Sequence, residues 1–462
     1  MGKLSDKFNN LKLVKTISNI WKIEELRTRI LITIGLVAVY LFGTQIVLPG
    51  VDRANLGKLH EQTSEGLMAL LNMFTGGAFE KASIFGLGIM PYISASIVMQ
   101  LLGLVVPYFQ KMQREGESGR RKINQYTRYL TVVILLVQGP SYLLNLNAQT
   151  GGNALYEGLD WTSFSITATI IMAAGSMFVL WLGERITDKG IGNGVSLLIF
   201  AGIATRLPDM VRNLYEKCVS ISDSVENAAL GILLGILVFI VVAIVAVAII
   251  VFVLYVQNAE RRIPVQYSKK VIGRQQRGGN RDYIPLKVNM SGVMPVIFTM
   301  SLLAIPNIIV TLFFSNSTNK VALWLKSAFT GSVWYYVLYF LLVIGFTFFY
   351  TAINFHPVEI ANSITKNGGM INGIRSGKPT TDFIKTTAHR LNWLEAFFLV
   401  IVCILPTVIG ILTGLENVWF AGTSVLILTG VANDLIVQVE GELEIRSPKG
   451  FLEDLTIKTG RR

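Results

Sequence analysis

Cys218 and Cys403 are the two cysteines of this 462-residue chain, and His60, His356 and His389 its three histidines. These side chains hold zinc, or act as nucleophile and base, only at short fixed spacings such as a CxxC pair or two histidines four apart on a helix. Neither spacing occurs. Cys218 falls in a connector and Cys403 in an apolar run, so both read as packing thiols, and no metal or cofactor is expected. Nor do the apolar runs gather a His/Asp/Glu or Ser/Lys constellation, which argues against a membrane-embedded enzyme. Gly190-Ile191-Gly192-Asn193-Gly194 is glycine-dense like a phosphate loop. It lacks the Lys-Ser/Thr pair and leads straight into an apolar run, so close backbone packing or a sharp turn is the reading.

Two other stretches carry more. Gly66 to Phe79, GLMALLNMFTGGAF, is uncharged and apolar apart from single Asn and Thr residues, yet as a helix it reaches only ~21 Å, short of the ~30 Å of hydrocarbon. Gly76-Gly77 separates it from the next apolar run. It is either an interfacial helix or a half-helix at membrane depth, and the second requires that it be buried in protein or line a cavity. The stretch 257–287 holds Arg261, Arg262, Lys269, Lys270, Arg274, Arg277, Arg281 and Lys287 against Glu260 and Asp282. Such a basic loop either just orients the chain or docks RNA phosphates or an acidic protein surface, an attraction that salt screens. Lys111 to Lys122, and Lys366, Arg375, Lys378 and Lys385, add basic groups on the same predicted face.

The elements that position these residues follow from composition. Hydrophobic residues make up 52% of the chain and charged residues 15%, against about a quarter in soluble domains. Uncharged apolar runs occur at roughly 30–48, 82–109, 129–149, 161–183, 190–205, 227–259, 288–319, 327–358, 396–415 and 417–433. Most reach the ~20 residues a membrane helix needs, giving ten predicted spans; the fifth and tenth are short and glycine-containing. Trp161 and Trp181 bracket the fourth run at a separation that suits two membrane interfaces.

Alternating ten spans puts 33 of the 41 Lys and Arg residues on one side, which the positive-inside rule makes the cytoplasmic side, with both termini there. The net charge of +12 is thus mostly topology. The predicted organisation is a cytoplasmic arm at 1–29, an N-terminal half at 30–211, a C-terminal half at 212–440 and a cytoplasmic tail at 441–462. Leu4, Phe8, Leu11 and Trp21 recur near helical spacing among lysines, so the arm either lies on the anionic leaflet lipids or is a solvated basic tail. The first run is longer than a signal core and ends in Leu48-Pro49-Gly50, so no cleaved signal is read there.

Ion-coupled pumps usually keep ionisable residues at depth, and the runs contain essentially none. That favours a passage sealed by apolar side chains. A secondary transporter or lipid flippase with a midplane site is the alternative.

Gly88-Ile89-Met90-Pro91-Tyr92-Ile93-Ser94-Ala95-Ser96 with Gln100, Glu115-Gly116-Glu117-Ser118-Gly119-Arg120-Arg121-Lys122, Trp181-Leu182-Gly183-Glu184 and the Gly190–Gly194 run occur in order. With them the chain resembles the bacterial SecY family over nearly its full length. The resemblance implies an all-α integral membrane protein with ten transmembrane helices in two pseudo-symmetric five-helix halves and a re-entrant plug half-helix. The implied function is a protein-conducting channel of the cytoplasmic membrane that passes unfolded secretory precursors and releases membrane segments sideways into lipid. SecE and SecG are the implied channel subunits; the SecA motor or a translating ribosome would drive transport, since no nucleotide site is evident.

Matching motif to motif, the implied pore ring is Ile89, Ile93, Val195, Ile199, Ile297 and Ile427. The plug would comprise Gly66, Leu67, Met68, Leu70, Leu71, Met73, Phe74, Gly76, Gly77 and Phe79, and the lateral gate Ser94, Gln138 and Asn289. Partner binding would fall to Arg261, Arg262, Lys269, Lys270, Arg274, Arg277 and Arg375.

Overall fold

A computed structural model describes residues 21, 23–53, 72, 75–150, 154–156, 158–223, 228–267, 270–272, 275–277, 281–314, 333–413 and 422–446. Each predicted run holds a helix. They are α1 (Glu24–Gly43), α2 (Met90–Val105), α4 (Glu117–Gln149), α5 (Trp161–Lys189), α6 (Gly194–Thr205), α8 (Ala228–Gln257), α9 (Met294–Phe314), α10 (Val333–Asn354), α12 (Lys378–Thr413) and α13 (Gly422–Arg446). Shorter helices α3 (Pro107–Arg114), α7 (Leu207–Asp223) and α11 (Pro357–Lys366) lie between them.

Among the described residues, eight helices are long and apolar enough to cross a membrane. A ninth span arises if Met90–Val105 and Pro107–Gln113, bent by 103°, count as one, and Met294–Leu303 is a shorter apolar helix. Pro107 explains the bend, because the residue before a proline is driven out of the helical region and Val106 is extended at ψ 118°. Several helices outrun their apolar cores: α4 begins among charges at Glu117, and α12 begins at Lys378, far before the predicted start at 396. A helix needs an apolar face only where lipid surrounds it, so its charged extension leaves no mark in hydropathy.

The chain divides into two compact units. The first contains α1 to α6 and α13 from Val431; the second contains α7 to α12 and α13 up to Gly430. In the first unit a core of Leu48, Phe79, Leu87, Leu135, Tyr142, Leu143, Phe164 and Met172 joins the loop after α1, the segment before α2, and helices α4 and α5. In the same unit the Gly190–Gly194 run is a packing turn. Asn193 accepts from the backbone N–H of Val195 at 3.1 Å, Thr33 Oγ1 accepts from Ile191 N at 3.0 Å, and a Cβ on Gly194 would lie 1.9 Å from the Gly183 carbonyl oxygen.

In the second unit the basic stretch is a sheet, where charge alone predicts a loop. Strands β1 (Glu260–Tyr267), β4 (Arg281–Lys287) and β5 (Gly369–Ile371) pair antiparallel in the order β4-β1-β5, while β2 (Lys270–Ile272) and β3 (Gln275–Arg277) form a two-stranded ribbon. Ile263 and Val265 alternate inward along β1 and pack with Leu286, Ile371, Ala361 and Ile364 of α11, and Ile384 of α12. One face is therefore apolar and covered while the other carries charge, the pattern of a half-buried antiparallel sheet.

Candidate functional site

The six candidate ring residues share a position: each lies at or just inside a helix start. Ile89 is the N-cap of α2 and Ile93 falls in its first turn; Val195 and Ile199 occupy the first two turns of α6. Ile297 is in the first turn of α9 and Ile427 in the second turn of α13. All are buried except Val195, which is half-buried. A branched side chain on a helix start is stiff, both through its own Cβ and through the backbone that carries it.

Of the candidate plug, Gly66, Leu67, Met68, Leu70, Leu71, Met73 and Phe74 lie outside the described residues. Beyond them the expected half-helix does not continue to Phe79. Residues 75–89 form consecutive turns, with Gly76 at φ +65° and Gly77 at φ +81°, values that a helix cannot contain. Gly76 also packs so closely on α6 that a Cβ there would sit 2.9 Å from the Gly202 Cα.

This irregular segment is buried yet satisfied from all sides. Its own turns close through Ser83 N to Ala78 O at 3.0 Å and Gly88 N to Phe85 O at 2.8 Å. The loop after α1 pairs with it through Leu48 N to Ala82 O at 2.8 Å and Ile84 N to Ile46 O at 2.9 Å, and Ser83 Oγ donates to Gly43 O at 3.0 Å. From α4, Tyr142 packs edge-on against Phe79 with ring centroids 4.6 Å apart and donates its hydroxyl to the Phe79 carbonyl at 2.7 Å. Non-helical backbone at membrane depth is tolerated only under such internal satisfaction.

Charges anchor its start. Arg206, at the C-terminal end of α6, donates to Glu80 Oε2 at 2.8 Å, and Asn72 binds the same carboxylate while its Oδ1 accepts from Glu80 N at 3.1 Å. Sequence reading missed this group because the partners lie 126 positions apart and each charge sits at the edge of an apolar run.

Of the gate candidates, Ser94 on α2 and Gln138 on α4 are both buried, and no hydrogen bond joins them among the described residues. Asn289, before α9, is also buried, and its Oδ1 has no hydrogen-bond partner among the described residues. One and two residues on from it, Met290 N and Ser291 N donate to Glu395 of α12 at 3.1 and 2.9 Å, as does the Ser291 hydroxyl. Glu395 is fully buried inside a candidate span, so the expectation of uncharged spans needs this exception. It sits one residue before the predicted run at 396 and fixes the stretch leading into α9.

On the sheet, Arg261 and Arg262 are exposed along β1. Arg262 lies 4.6 Å from the Tyr283 ring centroid and donates to Glu260 at 2.6 Å, a bond that pushes the guanidinium pKa further up. Lys270 and Arg277 face each other across the β2–β3 ribbon; Lys269 and Arg274 lie outside the described residues. Arg375 is exposed in the turn between β5 and α12, between Gly373 at φ +80° and Gly377 at φ +99°. Its carbonyl accepts from Thr380 Oγ1 at 2.9 Å, which ties the turn to the start of α12. Among the described residues no group of three or more His, Cys, Asp or Glu side chains is arranged to hold a metal ion.

A multi-pass helical membrane protein with stiff apolar helix starts, a buried irregular segment and a charged sheet is the class these features define. A family profile described as SecY matches residues 83–436. The protein translocase subunit SecY of Streptomyces coelicolor is 41% identical over 448 residues, covering 94% of this chain and 98% of that protein. The chain belongs to the SecY family.

Two solved structures share its fold. One is that of a SecY protein whose plug domain is described as stabilising the closed state of the translocation channel and maintaining a membrane seal. It has TM-score 0.63 and 18% identity, covering 92% of this chain and 95% of that one. The other is the idle yeast Ssh1 complex bound to the yeast 80S ribosome, with TM-score 0.56 and 15% identity, covering 92% and 91%. By family the chain is a subunit of a protein-conducting channel and not an enzyme.

Proposed function

We propose that the chain carries unfolded secretory polypeptides through the bacterial cytoplasmic membrane and releases apolar segments into lipid, and that it is organised as an N-terminal half at 30–211 and a C-terminal half at 212–440. The observation that carries this reading is the buried, non-helical segment 75–89, satisfied on every side yet built from turns. In it the plug ends, and Ile89, Ile93, Val195, Ile199, Ile297 and Ile427 form the ring. Stiff apolar side chains close around any sequence and leave a constriction that water and ions do not wet. Ser94, Gln138 and Asn289 form the lateral gate, where any hydrogen bond made between helices is worth only about 0.6 kcal/mol, little enough to yield to an apolar signal helix.

Both termini and the β4-β1-β5 sheet face the cytoplasm. The sheet and Arg375 dock SecA or the ribosome, whose energy drives transport, and SecE and SecG complete the channel. The transporter and flippase reading is not favoured, because a midplane solute site is not needed to account for the buried turns.

A photo-crosslinker at Ile199, with a stalled secretory precursor and SecA, tests the reading. Crosslinks that appear only with SecA and ATP are expected; transport of a small solute without any precursor crosslink would overturn it.

A further inference from the structure

Asn289 belongs to a short connector, 288–293, that runs from the end of β4 to the start of α9. Its side chain is buried, and its Oδ1 has no hydrogen-bond partner among the described residues, so no bond at that oxygen fixes where the carboxamide stands. The backbone on either side of it is tied instead. Before it, Val288 N donates to Ala259 O at 2.9 Å, which extends the β1–β4 ladder by one bond. After it, Met290 N donates to Glu395 Oε2 at 3.1 Å, and Ser291 donates to Glu395 Oε1 through its N–H, at 2.9 Å, and through its hydroxyl. Both carboxylate oxygens are used, and all three donors come from the one connector. Beyond Ser291 the chain turns at Gly292, φ +66°, where a Cβ would meet nothing within 4 Å, so packing does not hold the connector from that side.

We propose that Glu395 is a positioning residue of the lateral gate: its carboxylate holds the 288–293 connector so that Asn289 presents its carboxamide to the gate. The inference rests on the gate reading above, and it gives a role to a buried carboxylate that neither ring, plug nor gate uses. A carboxylate inside a candidate span is costly unless donors surround it, and here the connector supplies them. An amide of the same shape cannot replace it, because one of its two arms is itself a donor and would face an N–H or the hydroxyl. Hydrogen bonds between membrane helices are weak, so a small misplacement of one gate partner is enough to loosen the closed state. An acceptor held in place but left open takes a donor when the gate closes and gives it up when the gate opens.

The test compares export of two precursors, one with a full apolar signal and one with a shortened signal core, by channels reconstituted with their partner subunits and SecA. A gate that closes less firmly yields to a less apolar signal, so the ratio of shortened-signal to full-signal export rises. A channel that merely folds poorly exports less of both and leaves the ratio unchanged. Glu395→Gln, which keeps the size and removes one acceptor, should raise the ratio roughly tenfold, the worth of one hydrogen bond to a charged group. Ser291→Ala leaves both backbone N–H groups on the carboxylate and should raise it less; in a Glu395→Ala background it should raise it no further. Asn289→Ala removes the gate group itself and should raise the ratio at least as much as Glu395→Gln. An unchanged ratio in Glu395→Gln while Asn289→Ala raises it would sink the positioning role and leave the gate. If Glu395→Gln yields no folded channel, Ser291→Ala decides in the same way. An unchanged ratio in Asn289→Ala, whatever Glu395→Gln does, would sink the gate reading and the positioning role with it.

Discussion

Two non-helical regions are held in place by opposite means. The segment 75–89 in the first unit shares an apolar core with α4 and α5, but its irregular backbone is fastened by individual polar atoms: the Tyr142 hydroxyl, Ser83 Oγ, the Glu80–Arg206 pair and a few bonds to the loop after α1. The sheet of the second unit is fastened by a backbone ladder from Glu260↔Lys287 to Gln266↔Arg281, over an apolar face covered by α11 and α12. A ladder does not depend on which side chains it carries, so its outer face is free to change charge. A segment held by separate side chains is firm only while each is present, which suits a part that must leave and return.

The contrast can be broken first at the sheet core. Ile263→Ala removes a buried side chain from the apolar cluster and should cost about 2–5 kcal/mol of local stability. Limited proteolysis of the cytoplasmic face in native membranes would detect it, and a cleavage rate equal to the parent would deny the sheet a packed core. A smaller effect is expected at Tyr142→Phe, where the ring stays and the hydroxyl bond to Phe79 O is lost, about 1 kcal/mol. Single-channel recordings should show more frequent spontaneous openings; an unchanged opening rate would mean that the segment does not depend on single polar atoms. Smallest is Arg262→Gln, which removes an exposed ion pair to Glu260. Amide exchange along β1 should not change, while SecA binding to vesicles becomes weaker and less salt-sensitive. Faster exchange would show that charge, and not the ladder, holds the sheet.

The helices were legible because hydrocarbon thickness imposes a run length that hydropathy reports directly. What escaped lay where lipid does not act. Ile263 and Val265 on β1, with Ile284 and Leu286 on β4, alternate with polar residues and signal a strand, but the eight basic charges around them give the stretch the look of a solvated loop that orients the chain or docks a partner. Glu395 escapes a hydropathy reading because it stands just outside an apolar run, although its helix continues through it. The ring positions were visible only through the family resemblance, since an isoleucine in a membrane helix looks the same whether it packs or lines a passage. Asn72, Glu80 and Arg206 are ordinary residues until folding brings them together.

The strand order has a consequence for biosynthesis. β1 and β4 are made in succession and pair as a local hairpin, but β5 follows roughly one hundred residues after β1, beyond α9 and α10. At about 5–20 residues per second the outer edge of β1 waits about 5–20 seconds, open to pairing with any passing strand. Arg261 and Arg262 stand on the same strand three to four residues before the Val265–Tyr267 stretch that β5 covers, and charge on an open strand of this kind disfavours stray pairing during the delay.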